Sequence, residues 1–485
     1  MSKAIEGLQP ELVWKYFAEV ARIPRCSGNE AAISRYVLAT AKKLGLAART
    51  DGVGNVVVKK PASPGREQAR SVVLQGHLDM VGEKNKNKVH NFEKDPIELV
   101  RKENVIMADG TTLGADNGIA VAANLAIMED RSLEHGPLEF LFTVDEERGL
   151  TGAKSLVPDA LESRILLNLD SEEDGELYVG CAGGRDTSAS WPLAFDAAPA
   201  RSRAALLKVA GLRGGHSGLE IDKGRGNALK ILNRIILGLE NFGVRVAGIE
   251  GGNKRNAIPR EAEARVFVPE KTWDQAAVAV ARWHQTVAGE LATVDPGLEI
   301  SLTPLKGVRN GKVIKSALQK KFCRTISALP HGVIRMSPDI PGLVQTSTNV
   351  AIISTGKKAI RVETSQRSSV ASEIDEICQT VANVFGLGGA EVSGSDGYPG
   401  WKPNLDSEIL KIAQETYRSL YGQTPAVKAV HAGLECGIIG EKFPGMDMVS
   451  FGPTLQGVHS PEERIHIDTV ERFWKFLLAV LANVR

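Results

Sequence analysis

The chain has 485 residues, 43% hydrophobic and 24% charged, with a formal net charge of +1 at pH 7. A length well above about 300 residues predicts roughly two domains, because single hydrophobic cores stop growing near that size. The nearly neutral total lacks the basic excess that attracts nucleic acid or an anionic membrane. We therefore expect an ordinary globular protein whose partners are neither nucleic acid nor membrane.

The amino-terminal segment has no basic stretch followed by an apolar run, so no secretory signal is predicted. Apolar side chains at helical spacing from about residue 10 indicate an amphipathic helix instead. No uninterrupted run of about 18 apolar residues predicts a membrane span. The five cysteines are far apart and form no CxxC pair. This pattern favours reduced thiols in a cytoplasmic protein over a disulfide framework or a thiolate zinc site.

The first 185 residues alternate between strand-like and helix-like segments. Strands are predicted at 54–60, 71–80, 137–147 and 164–173, and a helix at 117–129. Such alternation predicts an α/β domain with a mostly parallel sheet flanked by helices. Acidic residues end several of these strands, and open α/β sheets bind ligands at the carboxyl ends of their strands.

The region from about 188 to 393 predicts a separate α+β domain with a helix at 226–242. A weak internal echo links GGNKRNAIPREAEARVFV with GLVQTSTNVAIISTGKKAIRV, because both place a turn-forming Asn before an apolar strand. The echo is compatible with two duplicated lobes and equally with chance.

Beyond the Gly/Pro cluster GSDGYPGWKP, the α/β character returns. His459 lies in this last part, whereas its expected partners lie in the first 170 residues. We therefore predict a split catalytic domain, with residues 1–187 as its first part and 394–485 as its second. Residues 188–393 would form an inserted lid or dimerisation-type domain.

Imidazole and carboxylate side chains recur at the ends of apolar strands or beside tight turns. The set consists of His77, Asp79, Asp116, Glu146, Glu147, Asp170 and His459. Each residue alone is also explained as a helix cap or a solvated turn. Together they suit two zinc-like ions about 3.5–4 Å apart that share a carboxylate and an activated water. No HExxH, GxSxG or P-loop motif points to another chemistry.

Several longer motifs occur in a fixed order over essentially the whole chain. They are HLDMV, GTTLGADNG, DEERG, NLDSEE, GCAGG, GGHSG, NAIP, HAGLECG and GVHSPEE. In this order they resemble the di-zinc carboxypeptidase G / aminoacylase-type metallopeptidase family, and within it the bacterial dipeptidases. The resemblance implies a zinc-exopeptidase fold with an inserted lid, in some members of two lobes. It also implies hydrolysis of Xaa-His (aminoacyl-histidine, carnosine-like) and related dipeptides, and it is compatible with a homodimer.

The same resemblance implies a two-metal cofactor, Zn²⁺ in the first place with Co²⁺ or Mn²⁺ as alternatives. Carried over by motif, His77 and Asp170 would hold one ion. Glu147 and His459 would hold the other. Asp116 would bridge the two ions, and its peptide bond to the next residue would be cis.

The resemblance further implies roles for residues that are not metal ligands. Glu146 would be the general base, and Asp79 would orient the first histidine ligand. In the lid, His216 would stabilise the oxyanion. Arg367 would bind the substrate carboxylate, with Asn256 as a further contact. His431 and Glu435 in HAGLECG are pocket candidates without an assigned role.

Three alternatives to this interpretation stay open. Another two-metal amidase of the family, a tripeptidase or an N-acyl amino acid deacylase, would share the metal ligands and differ only in the lid. A non-catalytic metal-binding protein would lack the base or a ligand, whereas Glu146 and all five expected ligands are present. A single-metal, cobalt or manganese enzyme fits the same ligand types.

Overall fold

The structure is a computed structural model that describes residues 3–308 and 310–485. In the first part of the chain, the helices are α1 (Glu11–Ala21), α2 (Ala31–Lys43), α3 (Ala115–Glu129), α4 (Glu146–Gly149) and α5 (Thr151–Ser155). The strands are β1 (Ala47–Thr50), β2 (Val56–Lys60), β3 (Val72–His77), β4 (Leu99–Lys102), β5 (Val105–Ala108), β6 (Leu138–Thr143), β7 (Ile165–Asn168) and β8 (Glu176–Cys181). The predicted alternation of strands and helices is confirmed here.

The middle of the chain is richer in strands. Its helices are α6 (Ala228–Gly238), α7 (Trp273–Glu290), α8 (Ser316–Ala328) and α9 (Ala371–Leu387). Its strands are β9 (Gly183–Pro192), β10 (Phe195–Ala197), β11 (Ser202–Ala210), β12 (Gly215–His216), β13 (Arg245–Gly251), β14 (Ala257–Ile258), β15 (Ala262–Pro269), β16 (Glu299–Pro304), β17 (Lys312–Ile314), β18 (Gly332–Met336), β19 (Val344–Thr355), β20 (Ala359–Ser368) and β21 (Glu391–Gly394).

The last part of the chain returns to α/β character. It contains α10 (Glu408–Tyr421), β22 (Ala426–Val430), α11 (Glu435–Lys442), β23 (Asp447–Ser450), β24 (Leu455–Gln456), β25 (Arg464–His466) and α12 (Ile467–Asn483). Within the described ranges, none of the helices is both long enough and apolar enough to cross a membrane.

The chain divides into two compact units. The first unit comprises the residues up to Gly180, Trp401–Ala429 and Leu434–Arg485. The second unit comprises Cys181–Gly400 and the four residues Val430–Gly433. The catalytic and lid roles expected for 1–187, 188–393 and 394–485 stay predictions.

The main sheet of the first unit has eight strands in the order β1-β2-β6-β3-β7-β23-β8-β22. The four central strands β6, β3, β7 and β23 are mutually parallel. The β1–β2, β2–β6 and β8–β23 pairs are antiparallel, so the sheet is parallel in its centre and not over most of its width. All residues of β3, β6 and β7 are buried, which requires cover on both faces, and the α/β class with a mixed sheet is confirmed.

The second unit contains a nine-stranded antiparallel sheet built from two similar lobes. The first lobe (residues 202–304) runs β11, α6, β13, β15, α7, β16, and its strands lie in the order β16-β11-β15-β13. The second lobe (residues 183–192 and 316–394) runs β9, α8, β19, β20, α9, β21, and its strands lie in the order β21-β9-β20-β19. β13 and β19 pair at the junction, so the two lobes share one sheet.

The first lobe is inserted into the second lobe, because β9 is separated from α8 by the whole first lobe. β10 and β17 form an antiparallel pair at the two ends of the insertion. The two sequence segments that resemble each other do not fall on corresponding strands of the two lobes. Asn256 precedes β15, whereas Asn349 lies within β19, which corresponds to β13. The lobes therefore repeat in topology, and the sequence echo does not trace the repeat.

Candidate metal centre

Asp116 lies in the first turn of α3, with its two carboxylate oxygens facing different imidazoles. Oδ1 is 3.0 Å from Nε2 of His77, and Oδ2 is 3.1 Å from Nε2 of His459. Two groups of potential metal ligands share this residue. One adds His77 and Asp170, the other adds Glu147 and His459, and within each group the ligand atoms lie within 4.8 Å of one another. The structure thus brings all five expected ligands into one cluster.

His77 is buried at the carboxyl end of β3, and each of its ring nitrogens faces a carboxylate. Its Nε2 lies 3.4 Å from Oδ1 of Asp170, and its Nδ1 lies 3.4 Å from Oδ1 of Asp79. β3 and β7 are parallel and in register, which places the residue after β7 near the end of β3. A carboxylate on the far nitrogen is the usual way in which a metal-binding imidazole is oriented.

Glu146 and Glu147 lie on the short helix α4, which follows β6. Glu147 Oε2 is 2.9 Å from Nε2 of His459. Asp79 accepts hydrogen bonds from the backbone N–H groups of Glu146 and Glu147 at 3.0 and 3.2 Å. It also accepts one from the Ser27 hydroxyl at 2.7 Å. The acidic residues predicted to end a strand therefore lie on a helical turn, which one buried carboxylate holds in place.

The backbone around Asp116 is tightly packed. Gly114 has a φ of +70°, and a Cβ there would lie 2.6 Å from Nη2 of Arg25, so only glycine fits. The peptide bond between Asp116 and Asn117 is cis, as the resemblance implies. The Asn117 amide accepts from the backbone N–H of His77 at 3.2 Å and donates to the carbonyl of Leu169 at 2.9 Å. Asn117 therefore ties the ends of β3 and β7 to α3.

Negative charge exceeds positive charge in this cluster. Burial raises the pKa of Asp170 to about 6. Hydrogen bonds to Asp116 and Glu147 raise the pKa of His459 to about 11. Burial also raises the pKa of Glu146 well above its ordinary range, against the opposing effect of His77. Carboxylates crowded in this way hold protons unless a cation neutralises them.

The donor set fits divalent metal ions. Two donors that bind one tetrahedral ion at about 2.0–2.2 Å lie roughly 3.3–3.6 Å apart. The separations between donor atoms here run from 2.9 to 3.4 Å. Only imidazole nitrogens and carboxylate oxygens contribute, a set that suits zinc and also manganese or cobalt. His459 is half-exposed, so the cluster is open to solvent on that side.

Two residues of the centre were missed in the sequence. Glu463 accepts hydrogen bonds from the four backbone N–H groups of residues 113–116. Arg25, which is 1% exposed, donates to the carbonyls of Leu78 and Asp79 at 2.9 and 2.7 Å and to that of Gly114. Their partners are main-chain atoms far away in sequence, so no local sequence pattern predicts the roles of Glu463 and Arg25.

Glu435 lies beneath the ligands at the start of α11. Its Oε2 accepts hydrogen bonds from the Gln75 amide and the Thr143 hydroxyl, each at 2.6 Å. Gln75 also accepts from the Asn168 amide. Burial raises the pKa of Glu435 to about 7. These contacts join β3, β6 and β7 within a few residues of His77, Glu146 and Asp170, so Glu435 supports the strand ends and lies outside the ligand set.

Within the second unit, polar side chains from both lobes gather around His431. Its Nε2 lies 2.8 Å from the Ser347 hydroxyl. Ser347 is paired across the sheet with Arg367, whose Nη1 donates to the Tyr398 hydroxyl at 3.0 Å. Arg367 is only 7% exposed, and its Nε has no hydrogen-bond partner among the described residues. A buried guanidinium with a free donor is suited to bind a carboxylate.

His216 belongs to the first lobe and is placed by the pairing of β12 with β14. Its Nδ1 accepts from the backbone N–H groups of Gly218 and Leu219 at 3.2 and 3.1 Å. A Cβ on Gly218 would lie 2.2 Å from the His431 carbonyl oxygen, so His216 and His431 lie on adjoining segments. Burial and then the charge of Arg367 lower the pKa of His216 to about 4, which leaves the ring neutral at pH 7.

Asn256 is exposed in the turn before β14, and its backbone carbonyl accepts from Ser217 at 2.8 Å. The buried Asn349 amide donates to the Ala257 carbonyl at 2.8 Å and so attaches this turn to β19. His216 and Asn256 therefore lie on paired segments of the first lobe, β12 and the turn before β14, whereas Arg367 lies in the other lobe.

The fold and the cluster of ligands are those of a metal-dependent hydrolase, and comparison with known proteins gives the family. The model of peptidase family M20/M25/M40 matches residues 73–483. The chain therefore belongs to the peptidase family M20/M25/M40. The resemblance drawn from the motifs and the predicted class of enzyme, a peptidase, are both confirmed.

Two relatives match over nearly the whole chain. The cytosol non-specific dipeptidase of Escherichia coli (strain K12) is 40% identical over 481 residues, covering 99% of each chain. The crystal structure of aminoacylhistidine dipeptidase from Vibrio alginolyticus has a TM-score of 0.92 and 41% identity, covering 99% of this chain and 98% of that one. A tripeptidase from Staphylococcus aureus has a TM-score of 0.62 at 18% identity, covering 98% of this chain and 99% of that one, a likeness in fold alone.

Proposed function

We propose that the protein is a metal-dependent dipeptidase that hydrolyses aminoacyl-histidine and related dipeptides, with two divalent metal ions as cofactors. The observation that carries this proposal is the carboxylate of Asp116, whose two oxygens face His77 and His459 separately. Such an arrangement is suited to a ligand common to two ions. The two full-length relatives at 40% and 41% identity are both named as dipeptidases, which supports the substrate class.

In this proposal Glu146 is the general base. When bound, the two ions would lower the pKa of a shared water and polarise the scissile carbonyl. The Glu146 carboxylate takes a proton from the attacking water and passes it to the leaving amine nitrogen. Asp79 keeps Glu146 in place through the backbone N–H of that residue and orients the His77 ring. The positions of the ligand His77 and of the base Glu146 therefore both depend on the buried carboxylate of Asp79.

We further propose that residues of the second unit contact the substrate. Arg367 would bind the terminal carboxylate through its fork of donors. His216, neutral at pH 7, would donate to the developing oxyanion, and Asn256 would add a further contact. In this scheme the first unit is the catalytic domain and the second unit is the lid. The charge of Arg367 acts on both His216 and His431, which supports the use of these residues at one substrate site.

The metal, the location and the assembly belong to the same proposal. The nitrogen and oxygen donors favour Zn²⁺ and leave Co²⁺ and Mn²⁺ as alternatives. A cytoplasmic location is supported by the name of the E. coli relative. A homodimer is the assembly to test, and light scattering would give twice the mass of one chain.

A panel assay tests the function. Chelator-treated protein is incubated with Xaa-His dipeptides, β-alanyl-histidine included, with and without added zinc, and free histidine is measured. Tripeptides and N-acetyl amino acids serve as controls for the other amidases of the family. We expect zinc to restore cleavage of the dipeptides while both controls stay inert. Cleavage of N-acetyl amino acids or tripeptides in place of dipeptides would overturn the proposed substrate class.

A further inference from the structure

Glu463 makes an unusual set of contacts with the main chain beside Asp116. It lies in the hairpin loop between β24 and β25, four residues after His459, and is 2% exposed. Its carboxylate accepts hydrogen bonds from the backbone N–H groups of four consecutive residues, 113–116, at 2.8, 2.9, 2.8 and 3.2 Å. The last of these N–H groups is that of Asp116 itself.

These N–H groups lie at the start of α3, where backbone donors have no partner within the helix. A buried carboxylate that accepts all four holds the turn in one conformation. On the carbonyl side, Arg25 donates to Gly114. Side chains distant in sequence thus hold the turn through both its N–H and its carbonyl groups, and the position of Asp116 depends on them.

The loop that carries Glu463 also carries His459. β25 pairs with β5, the strand that leads to the turn at residues 109–116, with Arg464 opposite Met107. One short loop therefore supplies both an expected ligand and the clamp on the expected bridging ligand. Glu463 belongs to neither group of potential ligands, and its hydrogen bond to the centre is made to the backbone N–H of Asp116.

We propose that Glu463 is a positioning residue that fixes Asp116 as the ligand common to both ions, so that occupancy of both metal positions depends on it. This inference rests on the proposed two-metal function. The inference distinguishes Glu463 from the ligands expected to bind one ion only. Loss of such a ligand directly weakens binding of that one ion. Partners of this kind change metal affinity by about 10- to 100-fold when they are removed.

The experiment is a zinc titration of the metal-free full-length protein against a chromophoric chelator. Glu463→Gln is compared with wild type, with the neighbouring exposed Glu462→Gln as the matched control and with His459→Ala as a single-position reference. We expect Glu463→Gln to weaken both zinc affinities by about 10- to 100-fold. His459→Ala should weaken chiefly one affinity, and Glu462→Gln should bind like wild type. The zinc concentration for half-maximal activity of Glu463→Gln should rise, while its KM at saturating zinc stays near that of wild type.

A purely structural role would lower the unfolding temperature of metal-free Glu463→Gln and leave the zinc affinities of the folded protein unchanged, which would overturn the inference alone. Wild type that binds no zinc would overturn the proposed function as well. Hydrogen exchange of metal-free wild type needs no variant. Slow exchange of the amides of residues 113–116 is expected, and exchange at the rate of exposed amides would contradict the clamp.

Discussion

At the scale of single residues, buried carboxylates that are not expected ligands hold the centre together. Asp79 is fully buried and contacts the His77 ring, the Ser27 hydroxyl and two backbone N–H groups of α4. Despite its burial, the hydrogen bond and the charge of His77 keep the pKa of Asp79 well below its ordinary range. Asp79 therefore stays ionised, and its charge orients both a histidine and the helix that carries the base.

Replacing Glu146 by Gln removes the proposed proton acceptor and keeps the shape of the side chain. We expect kcat to fall by about 10²- to 10⁴-fold, the usual contribution of general acid–base catalysis. Zinc content per chain, measured by elemental analysis, should stay near that of wild type because Glu146 is not an expected ligand. The exposed Glu173→Gln is the control and should keep full activity. Wild-type turnover by Glu146→Gln would show that another group moves the proton.

His431 predicts a pH dependence of stability. Burial and the nearby charge of Arg367, joined by that of His216 once it is protonated, lower the pKa of His431 to about 3, although the Val344 backbone and Asp222 act in the opposite direction. An unfolded histidine titrates near pH 6.5. The unfolded chain therefore binds more protons between about pH 6.5 and 3, and stability falls as pH falls through this window.

His431→Gln, which cannot be protonated, should remove this contribution. Unfolding of metal-free protein is followed from pH 7 to 4.5, so that metal binding does not contribute. The wild type should lose about 2.5 kcal/mol more than the variant over this range, since one proton changes the free energy of unfolding by about 1.4 kcal/mol per pH unit. Parallel curves for the two proteins would show that His431 is protonated in the folded state.

Some of the ligand candidates could be predicted from sequence, because open α/β sheets bind ligands at the carboxyl ends of their strands. His77 and Asp170 each follow an apolar run, and carboxyl ends of parallel strands meet at one edge. Asp116 and His459 are less visible, since turn residues of these types are common, and it was the order of motifs that selected them. Glu463 and Arg25 were not predictable, because their partners are backbone groups and a backbone N–H leaves no mark in the sequence.

At the scale of elements, the centre depends on how strand ends are held beside one another. β3 and β6 are parallel with His77 opposite Thr143, and Glu435 joins Gln75 of β3 to Thr143 of β6. Four carboxylates of the cluster follow these strands or begin α3, so like charges meet at this edge. A buried hydrogen-bond network between the strands is well placed to resist that repulsion.

Replacing Glu435 by Ala would leave the Thr143 hydroxyl without its acceptor and the Gln75 amide with only the Thr143 oxygen, at 3.2 Å. Each unsatisfied buried donor costs about 1–3 kcal/mol, so we expect a loss of that order in the free energy of unfolding. Glu435→Gln keeps an acceptor oxygen and should lose less. Glu441→Ala, exposed on the same helix, is the matched control. Urea unfolding of metal-free protein measures all three, and equal stability of Glu435→Ala and wild type would contradict the supporting role.

Helices and buried strands were the elements that the sequence predicted well, because their apolar periodicity is strong. The acids of residues 145–147 were assigned to a strand, and the structure places Glu146 and Glu147 on α4. Three adjacent acids cannot all face the same edge from an extended strand, and a helical turn aims two of them inward. The outer strand β2 was predicted at 54–60, but its antiparallel pairing was not, since pairing direction is not encoded in a short apolar run.

At the scale of the whole molecule, ligands for the proposed ions come from five separate parts of the first unit: the end of β3, the start of α3, the short helix α4 after β6, the turn after β7, and the loop after β24. Ions that bind the folded state and not the unfolded chain would stabilise the protein by mass action. Stability and metal content are therefore expected to change together.

Removal of metal by a chelator should lower the unfolding temperature. Zinc at about 100 times its Kd would contribute about 2.7 kcal/mol, which corresponds to several degrees for a domain of this size. Hydrogen exchange should rise in residues 145–148 and 457–459, with the first lobe, residues 202–304, as the internal control. An unfolding temperature indifferent to both chelator and added zinc would contradict metal binding by the folded state.

The long-range organisation was only partly readable from sequence. Return of α/β character after the middle region predicted a split first domain, because His459 needed partners from the beginning of the chain. The nesting of one lobe within the other was not predicted, since β9 resembles any other strand and its partner β20 lies far along the chain. Repeated topology without repeated sequence leaves no pattern to detect.

The nested lobes have a consequence for synthesis of the chain on the ribosome. The first lobe is continuous in sequence and can fold once residue 304 has emerged. β9 must wait for residues 359–368 before it gains its neighbour β20, a delay on the order of ten seconds at usual elongation rates. During this interval β9 is a newly made strand with open edges, the kind of segment that pairs with wrong partners.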